Sequence, residues 1–396
     1  MSSHPAARED RQTVLIANPS PDVYGSDLQM LESVSALIGA GRRVVVAVPG
    51  DGPLVPLLRE RGAEVEFVHF PVLRRANQSA RAFLRMAWGA VVSLPRLVRY
   101  VRQVRPAAIY VNTVTLPWWL LVSRLTRTPT LLHLHEAENT DPGLVRRALI
   151  APLRLAHAVI VISQAAMSAM VEADPSLAAK GHLIYNGVPQ PPLAVEPAAR
   201  RSPVRLVVVG RLSPRKAPHL ALEAVGRLRA QGRELELELA GSAFPGYEWY
   251  VAELEERAAR PDLVGAVHFA GYCKPIWPHL AAADIVLAPS LREPFGNAVV
   301  EAQLALRPVV ATAALGHLES ITDGETGLLV PADDVTAMAA AVARLLDDPD
   351  LANAIAQRAR TSAVTRFSTQ RYAREIVDLV DSLVGTGARD LVEERA

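Results

Sequence analysis

Short, unbroken apolar runs recur along this chain, each followed by a loop and then a helical pattern. Residues 43–48 read Arg-Val-Val-Val-Ala-Val and residues 204–209 read Val-Arg-Leu-Val-Val-Val. Polar and apolar side chains do not alternate in these runs, so both faces of each strand must be covered. That demands parallel sheets with helices on either side.

The first repeat shows the grammar. An apolar run at 13–17 leads into a polar, glycine-containing loop at 18–25. A helical pattern follows, with Leu28, Leu31, Val34, Leu37 and Ile38 on one face and Ser26 with Gln29 as a capping box. Gly39 and Gly41 end it, and residues 43–48 form the next strand. Similar runs stand at 107–111, 130–133 and 158–162. Pro189, Pro191, Pro192, Pro197 and Pro203 then crowd a stretch that reads as a linker. After it the grammar restarts at 204–209, ending at Gly210, with strands expected at 235–240, 267–270, 284–288, 308–311 and 327–330.

A chain of 396 residues is also too long for one core, since cores rarely grow past about 250–300 residues. The expectation is an α/β protein of two tandem Rossmann-like, doubly wound domains. Its parts are a disordered tail at 1–12, an N-terminal domain at 13–188, a Pro-rich linker at 189–203 and a C-terminal domain at 204–368. Residues 369–396 make a last helix and tail, packing back on the N-terminal domain. Ligands of such sheets sit beyond the carboxyl ends of the strands, so a cleft between the domains is the expected site.

Composition narrows the class. Half of the residues are hydrophobic and 21% charged, which excludes disorder for most of the length. A single cysteine, Cys273, excludes an internal disulfide and a multi-cysteine zinc site. The most apolar segments, 86–95 and 114–123, are half the roughly 20 residues a spanning helix needs. The polar N-terminus has no apolar stretch of signal-peptide type, so a cytoplasmic location is expected. Residues 1–190 hold 20 Lys+Arg against 14 Asp+Glu, and the remainder 22 against 27, so either the two halves face different partners or one half faces an anionic surface.

Two segments carry chemistry. Glu293-Pro-Phe-Gly-Asn-Ala-Val-Val-Glu301 follows a strand and leads into a helix. A carboxylate accepts two hydrogen bonds at once, which suits a vicinal diol, so the two glutamates fit a sugar ring and a ribose. Gly296 and Asn297 stand where the N–H groups of a helix start take a phosphate. Taken alone, the pair is a solvated loop glutamate and a helix glutamate. Gly210-Arg211-Leu-Ser-Pro-Arg-Lys216 follows the first strand of the C-terminal domain, with Pro218 suited to the first helical position. Two cations at a strand end neutralise a leaving diphosphate. Alone, such a loop is more often merely solvated; beside the carboxylates, the chemical reading wins.

The order Gly-Arg-Leu-x-x-x-Lys, Glu-Pro-Phe-Gly-x-x-x-x-Glu and Asp323-Gly-Glu-Thr-Gly-Leu-Leu-Val330 resembles glycosyltransferase family 4, retaining enzymes of the GT-B fold. The resemblance covers nearly the whole chain and is dense in its second half. It implies transfer of a hexose-type sugar from a nucleotide-diphosphate sugar to a hydroxyl acceptor, without metal or other cofactor. The acceptor class stays open among cell-envelope glycan, glycolipid and small metabolite.

By resemblance, Arg211 and Lys216 bind the donor diphosphate with Gly210 and the backbone amides near Phe295, Gly296, Asn297 and Ala298. Glu293 holds the transferred sugar and Glu301 the ribose. Gly25, in Tyr24-Gly-Ser26, matches a glycine loop approaching the phosphates and acceptor. Leu131-Leu-His-Leu-His-Glu136 matches the place of a histidine near the sugar's reactive face; His135 is the expected one, with His133 behind it. The catalytic set is thus Glu293, His135, Arg211 and Lys216, with Tyr24, Asn112, Thr113 and His133 as acceptor candidates. Asn186-Gly187 reads as a turn closing the first domain. One departure concerns Leu315-Gly316-His317-Leu318-Glu319, where the family has a Gly-Gly pair. Leucine is not expected to take a glycine's positive φ, so a different loop backbone is expected there.

Residues 72–105 hold eight arginines (74, 75, 81, 85, 96, 99, 102 and 105) and no acid, interleaved with Phe83, Leu84, Met86, Trp88, Val91, Val92, Leu94, Leu97, Val98 and Val101. This reads as two amphipathic helices broken near Pro95. Either they lie on an anionic membrane, or their apolar face packs on the domain and the arginines are solvated. Nucleic-acid binding is not expected, because no stacking platform accompanies the charge. Two other readings stay open: a nucleotide-sugar epimerase on the same fold, and a non-catalytic nucleotide-sugar binder.

Overall fold

A computed structural model describes residues 12–73, 80–136, 143–198, 201–244 and 246–393, with the backbone alone at 80–87, 144–145 and 386–393. Most of the expected tail, Arg74 and Arg75, and the side chains of Arg81, Phe83, Leu84, Arg85 and Met86 lie outside the described residues. The chain divides into two compact units. One runs to Gly187 and takes in the segment from Thr369; the other is Val188–Ser368.

The sheet of the first unit contains β1 (Thr13–Ala17), β2 (Arg43–Val48), β3 (Glu64–Phe67), β4 (Ala108–Asn112), β5 (Thr130–Leu134), β6 (Ala158–Val161) and β7 (Gly181–Leu183). Its order is β3-β2-β1-β4-β5-β6-β7, every pairing parallel. Every residue of β1, β4 and β5 is buried, as their unbroken apolar runs require. Leu15 pairs with Val45 on one side and Ile109 on the other. The edge strands β3 and β7 carry no such run. Glu64-Val-Glu-Phe67 alternates, and Gly181-His-Leu183 is too short to show a pattern.

The helix Gly25–Gly39 buries Met30, Leu31, Val34 and Leu37 against this sheet. Its capping differs from the Ser26–Gln29 expectation. The helix begins two residues earlier, with Tyr24 as its N-cap, and Asp27 Oδ2 accepts the Tyr24 N–H at 2.9 Å. A carboxylate is the stronger acceptor for a helix-start N–H, and Gln29 turns into the interior instead. The helix Thr369–Glu393 belongs to this unit: Tyr372, Ile376 and Val380 join the core around Val34 and Leu37. Arg371 donates to the carbonyls of Tyr185 (2.5 Å) and Asn186 (3.2 Å). A Cβ at Gly187 would stand 2.7 Å from Tyr372 Cβ, so only glycine fits there.

Residues 80–104 correct the expected break at Pro95. They form one helix, Ala80–Val104, that runs through the proline. The carbonyl of Val91, four residues back, loses its partner on the exposed side, where water can satisfy it.

The second unit contains β8 (Val204–Val209), β9 (Leu235–Ala240), β10 (Val267–Gly271), β11 (Ile285–Ala288), β12 (Val309–Thr312) and β13 (Leu328–Val330). Their order is β10-β9-β8-β11-β12-β13, again parallel throughout. Both units are therefore doubly wound α/β sheets in tandem. In each, the order reverses beside the first strand, between β1 and β4 and between β8 and β11. The loops leaving those strands diverge and open a crevice at their carboxyl ends.

Candidate active site

In the second unit that crevice is a pocket lined by Gly210, Arg211 and Lys216 from the loop after β8 and by Ser290, Glu293 and Gly296 from the loop after β11. Lys216 Nζ donates to Glu293 Oε2 in an ion pair, and Ser290 Oγ donates to the same oxygen at 3.2 Å. Glu293 is buried, which by itself raises its pKa. The Lys216 ammonium, together with His317 and Arg215, outweighs that and holds the carboxyl at about 2. Burial pushes the His317 imidazole below its ordinary value, so at neutral pH Lys216 is the main cation acting on Glu293, with Arg215 beside it. Arg211 is exposed, with its guanidinium 5.3 Å from the centre of the Phe244 ring. Pro218 opens the helix Pro218–Ala230, which holds the loop's far end.

The helix Asn297–Leu304 starts at this pocket, capped by Gly296 at φ +99°. A Cβ on Gly296 would meet His317 Cδ2 at 2.9 Å and Glu293 Cγ at 3.4 Å, so glycine is required by both backbone and space. The start of this helix faces the pocket, and the positive end of a helix dipole favours an anion there. Phe295 contributes backbone only, because its ring is buried edge-on against Phe367. Glu301, one turn into the helix, is half-buried, and its carboxylate accepts no hydrogen bond among the described residues. Burial raises its carboxyl to about 7, although Lys216 pulls the other way.

The loop after β12 closes the pocket, and its backbone corrects the expectation from Leu315. That leucine does take a left-handed φ of +45°. Gly316 explains why: a Cβ there would stand 2.5 Å from Phe295 Cα, and its N–H donates to the Glu293 carbonyl at 2.8 Å. The loop must pass this close, and Leu315 is held strained to allow it. His317 then turns inward, its Nδ1–H donating to the Thr312 carbonyl at 3.0 Å.

In the first unit the loops after β1, β4 and β5 meet at the carboxyl end of the sheet. His135 Nε2 lies 2.8 Å from Asn112 Oδ1, and Asn112 Nδ2 donates to Asn18 Oδ1 at 2.7 Å. Asn18 Nδ2 donates to Asp27 Oδ1 at 2.9 Å. Burial keeps His135 neutral, with its pKa near 3. The rings of His133 and His135 lie 4.0 Å apart. His133 Nδ1 meets Tyr110 Oη at 2.5 Å, and Ser33 Oγ links Tyr110 (3.1 Å) to Tyr372 (2.6 Å). Two of the acceptor candidates thus move into the interior. Asn112 and His133 are fully buried, because each is the point where a strand's inward face meets a polar network. Thr113 is buried too, at a strained φ of +81°. Tyr24 stays half-exposed and Gly25 exposed at the helix start.

Residues 203–348 match the family described as Glycosyl transferases group 1, and residues 25–190 match Glycosyltransferase Family 4. The chain belongs to glycosyltransferase family 4. Among its family relatives is the lipopolysaccharide core biosynthesis glycosyltransferase LpsE of Rhizobium meliloti (strain 1021). It is 32% identical over 200 residues, which are 48% of this chain and 54% of LpsE. The D-inositol 3-phosphate glycosyltransferase of Corynebacterium urealyticum is 36% identical over 183 residues, 44% of this chain and 42% of the relative. The chain spans about half the length of the curated relatives it matches. Anabaena Alr3699/HepE, solved in complex with UDP and glucose, superposes with a TM-score of 0.79 at 26% identity, covering 94% of this chain and 100% of that one. The fold is GT-B.

Among the polar residues of these crevices to which the sequence assigned no role are Asn18, Asp27, Ser290 and His317. Asn18 immediately follows the apolar run of β1, and a polar residue there was the available signal. Asp27 and His317 had none, since only folding shows which way a helix-start carboxylate and a loop imidazole point. Among the described residues no group of three or more His, Cys, Asp or Glu side chains could hold a metal ion.

Proposed function

We propose that this chain is a retaining glycosyltransferase moving a hexose-type sugar from a nucleotide-diphosphate donor to a hydroxyl acceptor, with its own cations in place of a metal. The observation that carries the reading is the buried Lys216–Glu293 pair at the switch point between β8 and β11, beside a helix N-terminus. Arg211, Lys216 and the amides of Gly296, Asn297 and Ala298 would take the diphosphate, Glu301 the ribose diol and Glu293 sugar hydroxyls. The acceptor oxygen bonds to the anomeric carbon as the bond from that carbon to the phosphate oxygen breaks. The electron pair leaves with the diphosphate, which also takes the acceptor's proton. Positive charge waiting at the leaving group lowers this barrier without reorganisation.

The first unit would supply the acceptor side, through Tyr24, Gly25 and His135. HepE was solved with UDP and glucose, and UDP is accordingly the first nucleotide to try here. LpsE is named for lipopolysaccharide core biosynthesis, which favours an envelope glycan or glycolipid acceptor over a free metabolite.

A membrane role for the helix Ala80–Val104 gains support from its two faces. Ala90, Leu97 and Val101 are buried, so part of the apolar side packs on its own unit. Trp88 (70% exposed), Val91 and Val92 lie on the opposite face with Arg99 and Arg102. An exposed tryptophan among arginines suits the headgroup level of an anionic bilayer. Among the described residues no helix is long and apolar enough to cross one.

The test is a thermal-shift series with UDP, GDP, ADP and dTDP in EDTA, followed by turnover of the matching sugar donor. Stabilisation by one nucleoside diphosphate, then a product whose anomeric configuration matches the donor by NMR coupling, supports the reading. Conversion of the donor sugar without any acceptor would instead favour an epimerase. No shift with any nucleotide would favour a scaffold.

A further inference from the structure

We propose that Asp27 is a positioning residue that dictates, through Asn18 and Asn112, which ring nitrogen of His135 carries the proton, so that Nδ1 is the nitrogen His135 offers to substrate. The proposal rests on the reading of His135 as a group of the acceptor side.

The argument is one of hydrogen-bond polarity. A neutral imidazole has one N–H and one lone pair, and its partners decide which nitrogen has which. A primary amide donates at one end and accepts at the other, so a chain of asparagines transmits a direction without choosing one. An ionised carboxylate can only accept. Asp27 takes two N–H groups, from Tyr24 through Oδ2 and from Asn18 through Oδ1, both at 2.9 Å. Burial raises its carboxyl to about 6, which leaves it mostly ionised at neutral pH.

That choice propagates outward. Asn18 Nδ2 is committed to Asp27 and to the Ser20 carbonyl at 2.7 Å, so Asn18 presents its oxygen to Asn112. Asn112 must then donate to Asn18 and present its own oxygen to His135, 2.8 Å from Nε2. Only Nε2–H can meet that oxygen, and the lone pair is left on Nδ1. Asn18, Asp27 and Asn112 are each at most 3% exposed, so water does not offer an alternative partner. The relay also ties the loops after β1 and β4 and the start of the helix Gly25–Gly39 into one rigid unit around His135.

Replacing Asp27 with asparagine removes the acceptor-only carboxylate and leaves the Ser20 carbonyl as the single acceptor-only partner of Asn18 Nδ2. Asn18 and Asn112 are then held in their present direction by one bond instead of two, and turning over together would move part of the His135 proton population to Nδ1. The experiment uses the full chain with 15N-labelled histidine. Long-range 1H–15N correlations report the tautomer, and His135→Gln assigns the signals. Wild type is expected to show Nε2–H, and Asp27→Asn to shift His135 toward Nδ1–H. In parallel, kcat should fall on the order of tenfold or more, with nucleoside diphosphate affinity unchanged and partial recovery in Asp27→Glu. Wild-type His135 protonated on Nδ1, or an unchanged tautomer in Asp27→Asn, overturns the proposal. Should Asp27→Asn not fold, Asn112→Ala breaks the same relay: a moved tautomer balance supports the relay and an unmoved one overturns it. The spectra need no turnover, so they stand apart from any failure to find a donor or acceptor.

Discussion

Lys216 and Glu293 are 77 residues apart in the chain, yet the ammonium of one is ion-paired with the buried carboxylate of the other. Neither loop contains its partner. The pairing of β8 with β11 brings them together, and the balance between burial and attraction at this point sets the charge of the pocket.

Lys216→Ala leaves that carboxylate buried without its cation, which should cost about 3 kcal/mol of stability in denaturant unfolding. The acid limb should change as well. Glu293 is held at about 2 against an ordinary 4.5. Its depressed pKa contributes stability that is present above about pH 4.5 and lost as pH falls toward 2. In Lys216→Ala that component should shrink, since the largest lowering influence is gone while burial still raises the carboxyl. An unchanged acid-unfolding curve would show that the pair is not formed in solution.

Glu293→Ala should abolish transfer while leaving free nucleoside diphosphate affinity nearly intact, because the carboxylate is assigned to the sugar. Arg211→Ala should weaken nucleoside diphosphates by about tenfold, from one lost charge-assisted hydrogen bond, and nucleosides hardly at all. Isothermal titration with both ligand types checks this. Equal losses for nucleoside and diphosphate would place Arg211 elsewhere.

Glu301 has the opposite sign. Its folded pKa is raised by burial to about 7 from an ordinary 4.5. Its protonated form is tolerated equally in both states below about pH 4.5, and the stability cost builds up as pH rises from about 4.5 to about 7 and stays constant above that. Glu301→Gln should therefore match wild type at low pH and be at least as stable above pH 7. Nucleotide binding should fall by about tenfold in the same variant. Wild-type binding should strengthen as pH rises through 7, a dependence that the variant should lack.

Leu315 and Gly316 make a contrasting pair. Leu315→Gly relieves a left-handed leucine, worth about 1–2 kcal/mol, while loosening the unfolded chain by about 0.5–1 kcal/mol. Thermal unfolding should show little change or a small gain. Gly316→Ala should lose about 1–3 kcal/mol, because its Cβ would press on the Phe295 backbone. Equal behaviour of the two would mean that the loop does not pass so close.

Trp88→Ser combined with Arg99→Ser and Arg102→Ser should reduce sedimentation with vesicles containing anionic phospholipid, by about 1 kcal/mol per arginine. Neutral vesicles should bind wild type weakly and salt should release it from anionic ones. Wild type that ignores anionic vesicles leaves these arginines merely solvated.

The sequence by itself determined the element types and the class of fold. Unbroken runs such as Val44–Val48 can only be strands covered on both faces, and their recurrence on either side of the prolines gave two sheets. It also determined that Lys216 and Glu293 stand at strand ends and Glu301 in the helix that follows, because motif and element position coincide there. The edge strands β3 and β7 were not legible, since half-exposed edges need no apolar run. Direction was not legible either. Whether Asn112 and His133 face an acceptor or the interior, whether Leu315 follows a glycine's backbone, and which oxygen Asp27 offers to Asn18 depend on groups that are neighbours in space alone. Local pattern encodes burial and period, which act over a few residues. The polarity of a buried hydrogen-bond chain and the charge of a paired carboxylate come from long-range contacts, and only the tertiary structure supplies those.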